Sequence, residues 1–218
     1  MDISSVVELR FLPALMEGAT ITVELAAASG LLSLLFALPL ALLSMSAKRL
    51  LSAPARAYIE ITRNVPLLII VYLAYFGLAV AGSSMSAFAC GILALTLQNS
   101  SYIAEIYRGA LQSVDSRQWE GGKALGMTAV QTFTIAILPQ ALLKSLPALF
   151  NQIVLLLKDT SVISVISVGE LLMQSKTLSE KTASTYELFL MVGAIYLILT
   201  TLVTLTGRVL ERYLSFSH

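Results

Sequence analysis

Long uncharged stretches alternate along this chain with short charged ones. Residues 25–47 and 188–207 contain no Asp, Glu, Lys or Arg, and neither do the 41 residues from 64 to 104. A helical crossing of a bilayer takes about 20 apolar residues. Residues 25–47 therefore predict a first span, its helix starting near residue 19, and residues 188–207 predict a last one. The 41-residue stretch is too long for one crossing. The small, polar Gly-Ser-Ser-Met-Ser at 82–86 divides it into spans at about 64–81 and 85–108. Residues 128–157 are apolar but interrupted by Pro139, Lys144 and Pro147. They predict an interfacial segment up to Leu138, then a span over about 139–157. Five spans result. All are expected to be helical, because lipid tolerates only backbone that is hydrogen-bonded internally. The chain reads as a single all-α membrane domain, without an internal repeat or a linker.

Composition points the same way. Of 218 residues, 57% are hydrophobic and 12% charged, where soluble domains run near one-quarter charged. A net charge of +1 offers nothing to nucleic acid or to an acidic partner. One cysteine, Cys90, and one histidine, His218, provide neither a disulfide framework nor a metal cluster. The first 17 residues hold Asp2, Glu8 and Glu17 against Arg10. A secretory signal needs a basic start and a small-residue cleavage site, so the first span is expected to be retained. Orientation follows from the loop cations. With the N-terminus outside, ten basic residues fall inside: Lys48, Arg49, Arg56, Arg63, Arg108, Arg117, Lys123, Lys144, Arg208 and Arg212. Only Arg10, Lys176 and Lys181 fall outside. The sequence thus predicts an outer N-terminus and a cytoplasmic C-terminus in a multi-pass membrane protein.

Between the third and fourth spans lies Trp-Glu-Gly-Gly-Lys-Ala-Leu-Gly-Met, residues 119–127. Asp115 with Gln118 approximates a capping box, so a short helix is expected over residues 116–125. Gly126 suits the left-handed residue that ends helices, and Pro139 suits the entry to the next span. Glu120 and Lys123 are spaced to pair. Gly121, Gly122 and Ala124 leave the helix without bulk, so that a partner's surface can approach. Two glycines inside a short exposed helix cost about 1 kcal/mol each against alanine. A docking surface and a surface helix that happens to contain glycine remain alternative readings of the spacing.

This loop resembles the EAA loop of permease subunits of ATP-binding-cassette importers, with Glu120, Gly126, Leu138 and Pro139 in register. Gly121 and Gly122 stand in place of the two alanines, and Ala136 in place of the usual isoleucine. The likeness extends to residues 58–68, 101–114 and 138–171 and to the end of the chain, where it is to the polar amino-acid subfamily. It implies the type I importer fold, with the helix at about 116–126 as a coupling helix. Glu120, Gly121, Gly122, Ala124, Leu125 and Gly126 would then meet an ATPase. It also implies two ATPase subunits, a second permease that is a copy or a paralogue, an extracytoplasmic binding protein and surrounding lipid. No cofactor is expected on this chain. ATP and Mg²⁺ belong to the ATPase, and the sequence has no Gly-x-x-x-x-Gly-Lys-Ser/Thr loop of its own.

Several polar groups interrupt the spans. Lys158 and Asp159 end an apolar run, and an ionisable residue at membrane depth is a functional candidate by default. Thr160 or Ser161 is placed to cap a second short helix, from Val162 to about Met173. Its free N–H groups would hold a substrate carboxylate, as broken helices do in transporters. The alternative is a Lys158–Asp159 pair that stabilises the break. Gln98 and Asn99, with Ser100 and Ser101, serve either a pathway or interhelical hydrogen bonding. Arg63 reads as a membrane anchor before an inner gate, and Glu105 with Arg108 as a helix-end ion pair. Tyr72, Tyr75 and Phe76 read as packing aromatics, and Trp119 as an interfacial anchor. With no nucleophile–base couple or paired acids, no enzymatic chemistry is expected. The reading is a permease for polar amino acids, leaning to glutamate, aspartate or glutamine because Lys158 and backbone N–H groups host anions. A secondary transporter or channel, and a non-transporting anchor subunit, are the alternatives.

Overall fold

The computed structural model describes residues 11–182 and 184–215. Asp2, Glu8, Arg10 and His218 lie outside the described residues. Helix α1 (Leu12–Ser44) has 33 residues, about 50 Å at 1.5 Å per residue. It begins earlier than expected and is longer than the roughly 30 Å hydrocarbon core. Its buried face is a ladder of small residues that includes Gly18, Thr22, Ala26, Ser29, Ser33, Ala37 and Ala41. Leu31, Leu35 and Phe36 point outward. Lipid tails are as apolar as leucine, so helices associate here through close packing rather than water exclusion. The ladder lets α4 (Ala87–Gln112) lie along α1 over the largest contact in the molecule.

The second span differs from expectation. It is two helices, α2 (Arg49–Asn64) and α3 (Leu67–Val80), bent by 108° at a two-residue break. Pro66 lacks an N–H and disfavours helical backbone in the residue before it. Val65 is accordingly extended, at φ −86° and ψ 130°. Gly82, at φ 82°, closes the turn after α3, and Ser86 caps α4 by accepting from the Ala89 N–H.

Helix α5 (Arg117–Ala124) precedes α6 (Ala129–Ile166), a continuous 38-residue run. The expected separation into an interfacial segment and a span from Pro139 is therefore corrected. Pro139 follows a π turn at Thr132–Ile137 within one helical path, and the chain reverses earlier, at residues 125–128. The last turn of α6, Thr160–Ile166, tightens to 3-10 geometry. Then come α7 (Leu171–Thr182) and α8 (Thr185–Ser215). Four helices are long and apolar enough to span a membrane, and the bent α2–α3 pair makes up to five.

Among the described residues four side-chain clusters hold the bundle, the smallest of them Ala110, Leu111, Ile137 and Ala141 between α4 and α6. One joins Leu25, Val71, Leu95, Leu156 and Ile163. A second joins Ala37, Ala41, Ile59, Ile103 and Leu149 towards the other end of α1. A third packs Leu15, Leu171, Leu188 and Val192 around the start of α1.

Candidate functional site

The turn around α5 is closed at both sides. Asp115 Oδ1 accepts the Arg117 N–H at 2.9 Å, without the reciprocal bond from Gln118 that a capping box requires. Gly126 adopts φ 71°. The Met127 N–H reaches the Gly122 carbonyl and the Gly126 N–H reaches that of Lys123, both at 3.0 Å, the Schellman pattern that satisfies helix-end carbonyls. A true capping box follows at once. Thr128 Oγ1 accepts from the Gln131 N–H at 3.2 Å, and Gln131 Oε1 accepts from the Thr128 N–H at 2.8 Å. Thr-x-x-Gln is legible in the sequence, although Asp115–Gln118 resembles it closely enough to be mistaken for the start signal. One stop and two starts between Arg117 and Ala129 leave this reversal little freedom.

Gly122 has an internal reason for its size. It is buried, and a Cβ there would collide with the Thr132 side chain at the base of α6. Gly121 faces open space. Glu120, Ala124, Leu125 and Gly126 are exposed with it, Leu125 to 80%. The short helix therefore presents a small-residue patch with one acid and one leucine outward, while Gly122 clamps it to α6. Among the described residues Glu120 and Lys123 form no ion pair. Trp119 is 39% exposed beside this patch.

At the far end of α6 the expected second helix is absent. Thr160 donates to the Leu157 carbonyl at 2.7 Å and caps nothing, and residues 160–166 form the 3-10 turn. Ser167 follows at φ 62°. A helix end does point into the bundle, but at Leu171, and its N–H groups are already taken. Glu170 Oε2 accepts from Leu172 at 3.0 Å and Glu170 Oε1 from Met173 at 2.8 Å, while Thr22 Oγ1 accepts from Leu171 at 3.1 Å. The Glu170 side chain, fully buried, also accepts from the Tyr196 hydroxyl at 3.0 Å. Burial raises the Glu170 carboxyl above its ordinary range; the two N–H donors, Tyr196 and the Lys176 charge act against that rise. The protein supplies its own carboxylate to this helix end. Lys158 is exposed, Asp159 and Ser161 are partly buried, and Thr160 is fully buried. Lys158 and Asp159 form no ion pair among the described residues.

Gln98 and Asn99 both bridge helices. Gln98 Nε2 donates to the Val65 carbonyl at 3.0 Å and to that of Thr62 at 3.3 Å, the carbonyls freed by the α2–α3 bend. Asn99 Oδ1 accepts from Gln152 Nε2 at 2.7 Å, a buried link from α4 to α6. Below them, Glu105 takes two bonds from Arg108, at 2.9 and 2.7 Å, and lies 3.7 Å from Arg63. Arg63 also sits over the Tyr102 ring. With Arg56, Glu60 and Gln112 these groups line a polar cavity of about 530 Å³. The sequence separates Arg63 from Glu105 and Arg108; the fold joins them. Tyr196, Thr22 and Gln152 escaped the sequence reading because nothing local marks their partners, which lie up to 149 residues away, while Glu170 caps N–H groups two and three residues on and only its burial is set from afar.

Residues 30–215 match the family described as binding-protein-dependent transport system inner membrane component. The chain belongs to this family, within which its relatives are permeases of amino-acid ABC transporters. It is 36% identical to a probable amino-acid ABC transporter permease of Sinorhizobium fredii, over 93% of this chain and 88% of that one. It is 37% identical to the octopine transport system permease of Rhizobium radiobacter, over 91% and 84%. Against the arginine ABC transporter permease of Haemophilus influenzae the identity is 34%, over 92% and 93%. Among solved structures, an amino acid ABC transporter crystallised with histidines superposes at a TM-score of 0.91, with 33% identity, over 98% of this chain and 99% of that one. An inward-facing methionine ABC transporter superposes at 0.78 with 19% identity, over 95% and 99%, a likeness of fold.

Proposed function

We propose that this chain is the membrane-spanning subunit of an ATP-driven importer of polar amino acids, with ATP and Mg²⁺ held by a separate pair of ATPase subunits. The observation that carries the reading is the α5 turn: a short helix fixed at both ends, clamped to α6 through Gly122, and presenting Glu120, Gly121, Ala124, Leu125 and Gly126 outward. Force applied to that patch passes directly into the longest membrane path of the chain. A second permease and an extracytoplasmic binding protein complete the assembly, and the α5 turn faces the cytoplasm.

Substrate is held near Lys158 and Asp159, with Thr160, Ser161, Gln98 and Asn99 shaping the polar centre around them. Asp159 receives the α-ammonium group and Lys158 the α-carboxylate. The lean to acidic or amide amino acids keeps no support of its own, because Lys158 is taken by the α-carboxylate and Glu170 fills the helix end that would have held an anion. Relatives named for glutamine, arginine, octopine and nopaline support recognition of groups other than side-chain charge.

The test is ATP hydrolysis by the purified transporter, with its binding protein, across the amino acids, together with uptake into vesicles. A polar amino acid is expected to stimulate both. In Gly126→Val, hydrolysis continues and uptake falls, because a positive φ costs a non-glycine residue about 1–2 kcal/mol and the patch shifts. Purification of the chain without an ATPase, or hydrolysis and uptake indifferent to every amino acid, overturns the reading.

A further inference from the structure

Helices α6 and α8 meet tightly at one level and leave a cleft on the side of the α5 turn. A Cβ on Gly207 would stand 2.6 Å from Phe150 Cγ, so the two helices touch closely there. Nearer the end of α8, a cleft of about 470 Å³ is walled by Leu143, Leu146, Pro147 and Leu214. Lys144, Arg212 and one carboxylate, Glu211, edge it. A smaller hollow of about 190 Å³ shares Pro147 and Glu211 and extends to Asn151, Thr204 and Arg208. Lys144 is held at this level because its ammonium donates to the Ser113 carbonyl at 2.8 Å, which leaves its other N–H groups available. Arg208 is exposed and makes no hydrogen bond or ion pair among the described residues.

Lys144 and Arg208 beside Glu211, above an aliphatic wall, make a two-part recognition surface. The outer faces of the same helices, at Leu142, Leu202, Leu205 and Val209, are exposed and apolar, the character of a surface that meets lipid. A water-soluble anion would use the charges and leave the wall empty. Basic pockets between membrane helices bind lipid headgroups.

We propose that this cleft holds an anionic phospholipid, with its phosphate between Lys144 and Arg208 and an acyl chain along Leu143, Leu146 and Pro147. The proposal rests on the chain being a membrane permease and is independent of which amino acid it carries. The complete transporter in detergent, titrated with phosphatidylglycerol or phosphatidylcholine and read by native mass spectrometry, tests it. Phosphatidylglycerol is expected to bind more tightly than phosphatidylcholine. That preference should fall about fivefold for each cation removed, in Arg208→Gln and again in Lys144→Gln/Arg208→Gln. Arg208→Gln keeps the test sound where loss of the Lys144–Ser113 bond prevents assembly. Unchanged preference in Arg208→Gln, displacement of the lipid by millimolar inorganic phosphate, or cross-linking of a cysteine at position 151 to another subunit overturns the proposal. Amino-acid-stimulated ATP hydrolysis, measured on the same samples, separates failure of the lipid site from failure of the transport reading.

Discussion

Glu170 does the work that a substrate was expected to do. Its carboxylate takes two N–H groups at the start of α7 and the Tyr196 hydroxyl, so one side chain ties α7 to α8 beside Thr22 of α1. Each buried polar group left without a partner costs about 1–3 kcal/mol. Glu170→Ala should therefore lower the thermal midpoint of the assembled transporter by several degrees, and Glu170→Gln, which keeps one acceptor oxygen, by less. A midpoint unchanged in Glu170→Ala would mean that water fills the helix end. Lys158 and Asp159 separate on the same logic. Because they form no ion pair, the double variant Lys158→Met/Asp159→Asn should assemble at parent yield and lose amino-acid uptake. Uptake at the parent rate would move the substrate site elsewhere.

The α2–α3 break is the element whose shape depends most on another element. Proline explains why the helix stops, but not where the freed carbonyls find donors. Gln98 supplies them, Tyr102 donates to the Arg63 carbonyl at 3.2 Å, and Glu105 lies beside the Arg63 guanidinium. Positions 98, 102 and 105 are spaced four and three apart, so they share one face of α4. Gln98→Leu keeps the volume and removes the donor. Hydrogen exchange over residues 62–70 should then speed up roughly tenfold or more, at a cost of about 1–3 kcal/mol, with exchange in α8 unchanged. Equal exchange in parent and variant would show that the bend is held by Pro66 and packing alone.

Across the whole molecule, the basic residues that were grouped by counting loop charges gather at one end of the bundle. Arg56 donates to the Ser44 carbonyl at the end of α1, Lys144 to Ser113 at the end of α4, and Lys144 shares a cleft with Arg212 of α8. On the proposed topology this end is cytoplasmic. Cys90 is 1% exposed and gives a quiet background for labelling. A cysteine at Ser116 should react with a membrane-impermeant maleimide only in inverted vesicles, and one at Ser179 only in right-side-out cells. Labelling of position 116 from outside would reverse the orientation and the docking role of α5 with it.

Hydrophobic run length was enough to read an all-helical membrane domain, and a single glycine to read the turn at Gly126. Each of these is set by solvation of a segment or by one residue's backbone freedom, and so is written locally. The resemblance at Glu120, Gly126, Leu138 and Pro139 was enough for the family. Depth and partnership were not local. Gly121 and Gly122 look alike in sequence, yet one faces open space and the other Thr132. Lys158 and Asp159 end the same apolar run, yet the packing of α6 sets Lys158 on an exposed face and leaves Asp159 partly buried. Glu170 is an acid between two helices that nothing in its neighbourhood of sequence marks as buried, until Thr22 and Tyr196 close around it. Only tertiary structure decides such cases, because burial of a polar group depends on donors brought from other helices, and their arrival is a property of the packing.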